Sequence, residues 1–186
     1  RAFFAGSALA ALAQGFMLGA YILGFDWGVA NFAFASFIGV CLLAGYSLLG
    51  AGWLLMKTEG ELQRKAMRWA QLALWLTAIG IAAVSVATPL VSERIFAKWF
   101  SLPAFIALLP IPLITGVLLF IADRALRRMR RGLDVAVWQP FACSVGLFVF
   151  AFIGLAYSLF PYLVVDRITI YDAASAPGSL WIILFG

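Results

Sequence analysis

The chain contains no histidine, and that absence removes a whole range of chemistry. Bis-histidine haem, His-ligated zinc or copper and imidazole acid–base catalysis all need a side chain that these 186 residues do not offer. Cysteine is nearly missing as well. Cys41 falls in the outer third of one apolar segment and Cys143 at the inner end of another, roughly 15 Å apart in depth by helical rise. The two fit neither a disulfide nor a shared metal and read as small core residues. Met17, a conceivable soft ligand, reads as helix filling. Charge is scarce too: 11% of residues, where a soluble domain carries about 25%. The eight acids (Asp26, Glu59, Glu61, Glu93, Asp123, Asp134, Asp166 and Asp172) all lie at the ends of apolar runs. No carboxylate is placed to relay protons at membrane depth. No Gly-rich phosphate loop, nucleotide motif or Ser/His/Asp arrangement is present.

What remains is hydrophobic: 65% of residues, with a mean hydropathy of +1.05. Charge-free runs cover residues 2–25, 27–56, 69–92, 99–122 and 135–165. Each exceeds the roughly 20 residues that a helix needs to cross about 30 Å of hydrocarbon. A sixth run, 173–186, is shorter. The expected architecture is all-α, a polytopic membrane helix bundle forming one transmembrane domain over residues 1–186. Five full spans are expected at about 2–25, 34–56, 66–91, 100–122 and 138–160, with a truncated sixth at 180–186. A first residue other than Met and an end inside an apolar run suggest a fragment.

Lys and Arg are unevenly shared between the two sides. Arg1, Lys57, Arg64, Lys65, Arg68, Arg124, Arg127, Arg128, Arg130 and Arg131 fall on one side, and Arg94, Lys98 and Arg167 on the other. The positive-inside rule puts loops 57–68 and 124–131 in the cytoplasm. The net charge of +5 is then a topology signal, not a nucleic-acid footprint. The basic loops can also attract anionic lipid, at about 1 kcal/mol per charge.

The hinge Lys57-Thr-Glu-Gly-Glu61 joins the second and third segments. Thr58 and Glu61 have the spacing of a capping box, which makes Thr58 the expected N-cap of the third helix, with Lys57 and Glu59 beside it. Gly15 and Gly19 form a GxxxG that permits close helix approach. Gln14 beside them needs a partner at depth. A stop is expected at Thr88-Pro89, and a kink or unwinding at Pro110-Ile-Pro112. Asp172, in an outer loop near Tyr171 and Ser175, is a candidate polar residue, read otherwise as a turn carboxylate.

Three stretches in order carry a family resemblance: Ala13-Gln-Gly-Phe-Met-Leu-Gly-Ala20, Met56-Lys-Thr-Glu-Gly-Glu-Leu-Gln-Arg-Lys-Ala66, and Phe160-Pro-Tyr-Leu-Val164 followed by Ile168-Thr-Ile-Tyr-Asp-Ala-Ala-Ser-Ala-Pro177. They resemble subunit II of cytochrome bd-type quinol oxidases. The resemblance implies a bacterial inner-membrane complex that oxidises quinol and reduces dioxygen to water. It also implies that haem b and haem d reside in a partner, subunit I, against which this chain packs, with small accessory subunits as further candidates. It assigns no catalytic, cofactor-binding or metal residue here. Val165-Asp-Arg167 stands where a proline-containing link is often seen, which leaves open the quinol-specific bd form and its cyanide-insensitive relative. The residues by themselves also admit a secondary transporter or channel-like protein, since transporters build sites on Pro-broken helices.

Overall fold

A computed structural model describes residues 1–102, 104–175, 178–180 and 184. Its elements are α1 (Ala2–Ile22), α2 (Val29–Lys57), α3 (Gly60–Val91), α4 (Glu93–Phe100), α5 (Ala104–Leu108), α6 (Pro110–Arg130), α7 (Gln139–Leu159), β1 (Tyr162–Val164) and β2 (Ile168–Thr169). Each long apolar run becomes a helix because a helix satisfies its own backbone donors and acceptors, which lipid cannot do. Among the described residues four helices, α1, α2, α3 and α7, are long and apolar enough to cross a membrane, so the chain is a helical membrane protein.

The fourth expected span, 100–122, differs. It is divided into α4, α5 and α6. Leu109 is a turn between α5 and α6, and Pro110 is the first residue of α6, where its missing N–H costs least. Pro112 follows within the same turn. The division thus falls at Leu109, just ahead of the pair, where the backbone stays helical and the Leu109 N–H still donates to the Phe105 carbonyl (3.0 Å). Residues 110–122 of α6 are free of charge, and α6 by itself is not among the helices long and apolar enough to cross. Pro103 and most of the expected sixth segment, 180–186, lie outside the described residues.

The third span ends at residue 91 as expected, but it starts at Gly60 instead of 66 and does not stop at Thr88-Pro89. Proline here removes one donor near a helix end, and the Thr88 hydroxyl bonds the Val84 carbonyl 2.7 Å away. The second helix begins at Val29, earlier than expected, and Asn31 in its first turn donates to Asp26 in the preceding turn (3.1 Å).

α2, α3, α6 and α7 close into a ring in which each helix packs on two neighbours, while α1 lies along α2. The main core is built from Leu48, Leu55, Ala70, Leu74, Leu126 and Leu147 with small residues between them. It sits toward the end of the bundle that carries the Lys57 hinge. A second cluster at the opposite end joins Ile95, Leu159 and Val165 and ties α4, α7 and the β1–β2 hairpin together.

Small residues set the helix separations. A Cβ added at Gly15 would stand 2.6 Å from the Gly39 Cα, and one at Gly19 would stand 2.6 Å from the Ala35 Cα. Gly80 meets Cys41 across α2 and α3 in the same way. Some hydroxyls within helices bond the carbonyl four residues back, as Thr115 does to Ile111 and Ser144 to Pro140, whereas the buried Thr77 hydroxyl of α3 has no partner among the described residues.

Candidate functional site

The hinge does not form the expected capping box. The N-cap of α3 is Glu59, with no side-chain cap, and Thr58 is the C-cap of α2. Thr58 and Glu59 are both extended, so the helix starts one residue later than the box requires. Glu61 then falls at the second helical position and cannot reach back as an N3 carboxylate. The Thr58 hydroxyl turns the other way and donates to the Leu54 carbonyl (2.7 Å). Gln63 reaches across the hinge to the Leu55 carbonyl (3.0 Å), satisfying another acceptor at the end of α2. The reversal itself rests on Gly60, whose φ of +67° only glycine adopts cheaply. Lys57 lies over the Trp53 ring, 5.2 Å from its centroid.

Gly15 and Gly19 face α2, and Gln14 beside them accepts a hydrogen bond from the Tyr46 hydroxyl (3.0 Å). Tyr46 in turn stacks on Phe148 of α7. The partner that Gln14 needs at depth is thus another residue of this chain.

At the hairpin end a polar cluster joins distant segments. Arg94 pairs with Asp166 at 2.8 Å and its guanidinium lies 4.2 Å from the centre of the Tyr162 ring. The Ser92 hydroxyl and Arg94 beside it hold the Asp166 carboxyl below the usual carboxylate range. Lys98 donates to the carbonyls of Tyr157 (2.6 Å) and Phe160 (3.0 Å), capping α7 with a cation where the helix dipole favours one. Partial burial, with Arg94 nearby, lowers the Lys98 pKa. Trp99 donates to Ser158 (3.0 Å). Asp172 lies in this region but belongs to a separate, local turn: it accepts from the Thr169 hydroxyl (2.6 Å) and backbone N–H (3.2 Å), which lower its pKa. Nothing else of the outer cluster reaches it.

Sequence reasoning missed these pairings because it used Arg94, Lys98 and Asp166 only as topology charges. Arg94 and Asp166 are 72 positions apart, and no local spacing announces such a contact. Gln71 was missed likewise. It donates to Asp123 at 2.7 Å, and Arg127 holds the other carboxylate oxygen at 2.7 Å, a network linking α3 to α6.

Among the described residues no three His, Cys, Asp or Glu side chains gather as a metal set. Cys41 packs on Gly80, and Cys143 belongs to the main core. Met17 is 58% exposed on α1. A family model for cytochrome bd terminal oxidase subunit II matches residues 1–186. The chain belongs to that family. No curated protein and no solved structure matches it. The cytochrome bd oxidase family is one of oxidoreductase complexes with more than one subunit, and its chemistry uses haem. The sequence offers no imidazole, both cysteines are buried, and Met17 lies on an exposed face of α1.

Proposed function

We propose that this chain acts in a bd-type terminal oxidase by holding a haem-bearing subunit I, in a complex that oxidises quinol and reduces dioxygen to water. The observation that carries the reading is the family match along the whole chain. The donor set agrees with it, since a chain without histidine contributes by packing and positioning. Haem b and haem d then reside in the partner. The complex sits in the bacterial cytoplasmic membrane with loops 57–68 and 124–131 on the cytoplasmic side, in keeping with the distribution of Lys and Arg. The pinned hairpin end and the tightly packed hinge end make the chain a rigid scaffold.

The break at Leu109 is the one feature that favours a transporter. The polar side chain nearest to it in α6, Thr115, is already bonded to the Ile111 carbonyl, and no ionisable residue accompanies it there.

Haem analysis of the purified chain tests the proposal. Expressed alone it should carry no haem, and co-expressed with its partner it should purify with the haem bands. A chain that binds haem by itself, or one that purifies colourless with no haem-bearing partner, overturns the reading.

A further inference from the structure

A cleft of about 850 Å³ opens at the hinge end between the first turns of α3 and the last turn of α6. Arg64, Lys65, Arg68, Arg130 and Arg131 line it, with Glu61 as its one acid. Arg94 and Arg127 elsewhere are each held by an aspartate, but none of these five cations has a carboxylate within ion-pair distance among the described residues. Five like charges lining one opening repel each other, and a bound anion relieves that repulsion. The cleft thus has the electrostatics of an anion site.

Its level and its surroundings narrow the anion. Trp53, Trp69 and Trp138 are all about half exposed at this end of the bundle, where tryptophan marks the boundary between hydrocarbon and headgroups. Gly60 and Arg64 precede Trp69 on α3, so the cleft lies just outside that boundary, at headgroup depth. Arg64 and Arg68 are followed at helical spacing by Leu72, Trp75 and Ile79, each more than half exposed. A cationic opening therefore continues directly into an apolar strip leading into the membrane. Met67 and Met129, adaptable side chains, line the cleft between the two.

We propose that the cleft holds the phosphate of an anionic phospholipid, with the acyl chains lying along Leu72, Trp75 and Ile79. The chemistry recognised is a phosphate group, and the apolar strip selects a lipid source over a soluble one. The site clamps α3 to α6 from outside, at the same end where Gln71 and Asp123 link them from within.

The test uses the assembled complex in nanodiscs, with native mass spectrometry to count retained lipid. Phosphatidylglycerol should be retained over phosphatidylcholine. The double substitution Arg68→Gln/Arg130→Gln should weaken phosphatidylglycerol retention on the order of 25-fold, about fivefold for each charge removed. Arg124→Gln/Arg128→Gln removes the same charge outside the cleft and should change retention little. Arg68→Lys/Arg130→Lys should keep most of it, and unchanged haem absorption will show that each variant complex is assembled. Equal retention of the two lipids, or retention insensitive to the cleft substitutions, overturns the site. Charge-dependent binding of inorganic phosphate that phosphatidylglycerol fails to displace assigns the cleft to a soluble anion and overturns the lipid assignment. These readouts count lipid and do not depend on turnover.

Discussion

Replacing Gly15 with alanine asks whether backbone contact between α1 and α2 matters for stability. The added Cβ would lie 2.6 Å from the Gly39 Cα and 2.8 Å from the Ile38 carbonyl oxygen. Carbon atoms pack at about 3.5–4.0 Å, so α1 must withdraw by roughly 1 Å. Neither contact belongs to a flexible side chain that could turn aside. A gap of that size forfeits between a quarter and a half of the dispersion energy of the contacts it opens. Overpacking of this kind typically costs about 1–3 kcal/mol. Gly50→Ala, three turns further along α2, supplies the control, because nothing lies within 4 Å of its added Cβ. That change should be neutral or stabilising by about 0.5–1 kcal/mol, from helix propensity alone. The assay is thermal unfolding of the detergent-solubilised complex, followed by loss of its haem absorption or by aggregation. Gly15→Ala should lower the midpoint and Gly50→Ala should not. Equal midpoints for the two variants would refute the argument that close α1–α2 approach is limited by Gly15.

Other expectations concern the two ends. Gly60→Ala places a side chain at φ +67° and should cost about 1–2 kcal/mol, whereas Thr58→Ala should cost less, because the Thr58 N–H still donates to the Leu54 carbonyl; thermal midpoints of the two variants check the order. Asp166 has a folded pKa below its unfolded value of about 3.9, so its contribution to stability is present above that pH and is lost as pH falls through the folded pKa. A melting series from neutral pH to pH 3 should show that loss in the parent and not in Asp166→Asn. Cysteines placed at Thr58 and Gly132 should label from the cytoplasmic side only, and cysteines at Asp26 and Asp166 from outside only; periplasmic labelling at Gly132 contradicts the orientation.

Apolar run length was enough to show where α1, α2, α3 and α7 lie, because membrane depth, not local propensity, decides a helix of that size. The fourth segment was harder. Its run is long enough, yet proline placement makes Pro110 a starting residue and splits the run, and the charges from Asp123 onward leave α6 half apolar and half basic. At the hinge, a matching motif was misleading because its register depends on backbone dihedrals: two extended residues and Gly60 shift the helix start by one. Gly15 and Gly19 were visible as a spacing, but their counterparts Gly39 and Ala35 were not, since a pairing between helices has no signature along one of them. The same holds for Arg94 with Asp166, for Gln71 with Asp123, and for the basic cleft. That cleft gathers charges from loops which the sequence shows as two separate clusters.

The central claim, that this chain is needed to hold a haem-bearing oxidase partner while ligating no haem itself, is tested most directly in membranes from cells that lack it. Reduced-minus-oxidised spectra and quinol oxidase activity should be measured on the same membranes, with the chain restored from a plasmid as reference. The account predicts that the haem d band and bd-type quinol oxidase activity disappear together and return together. A haem d band and quinol oxidation that persist without the chain would contradict it.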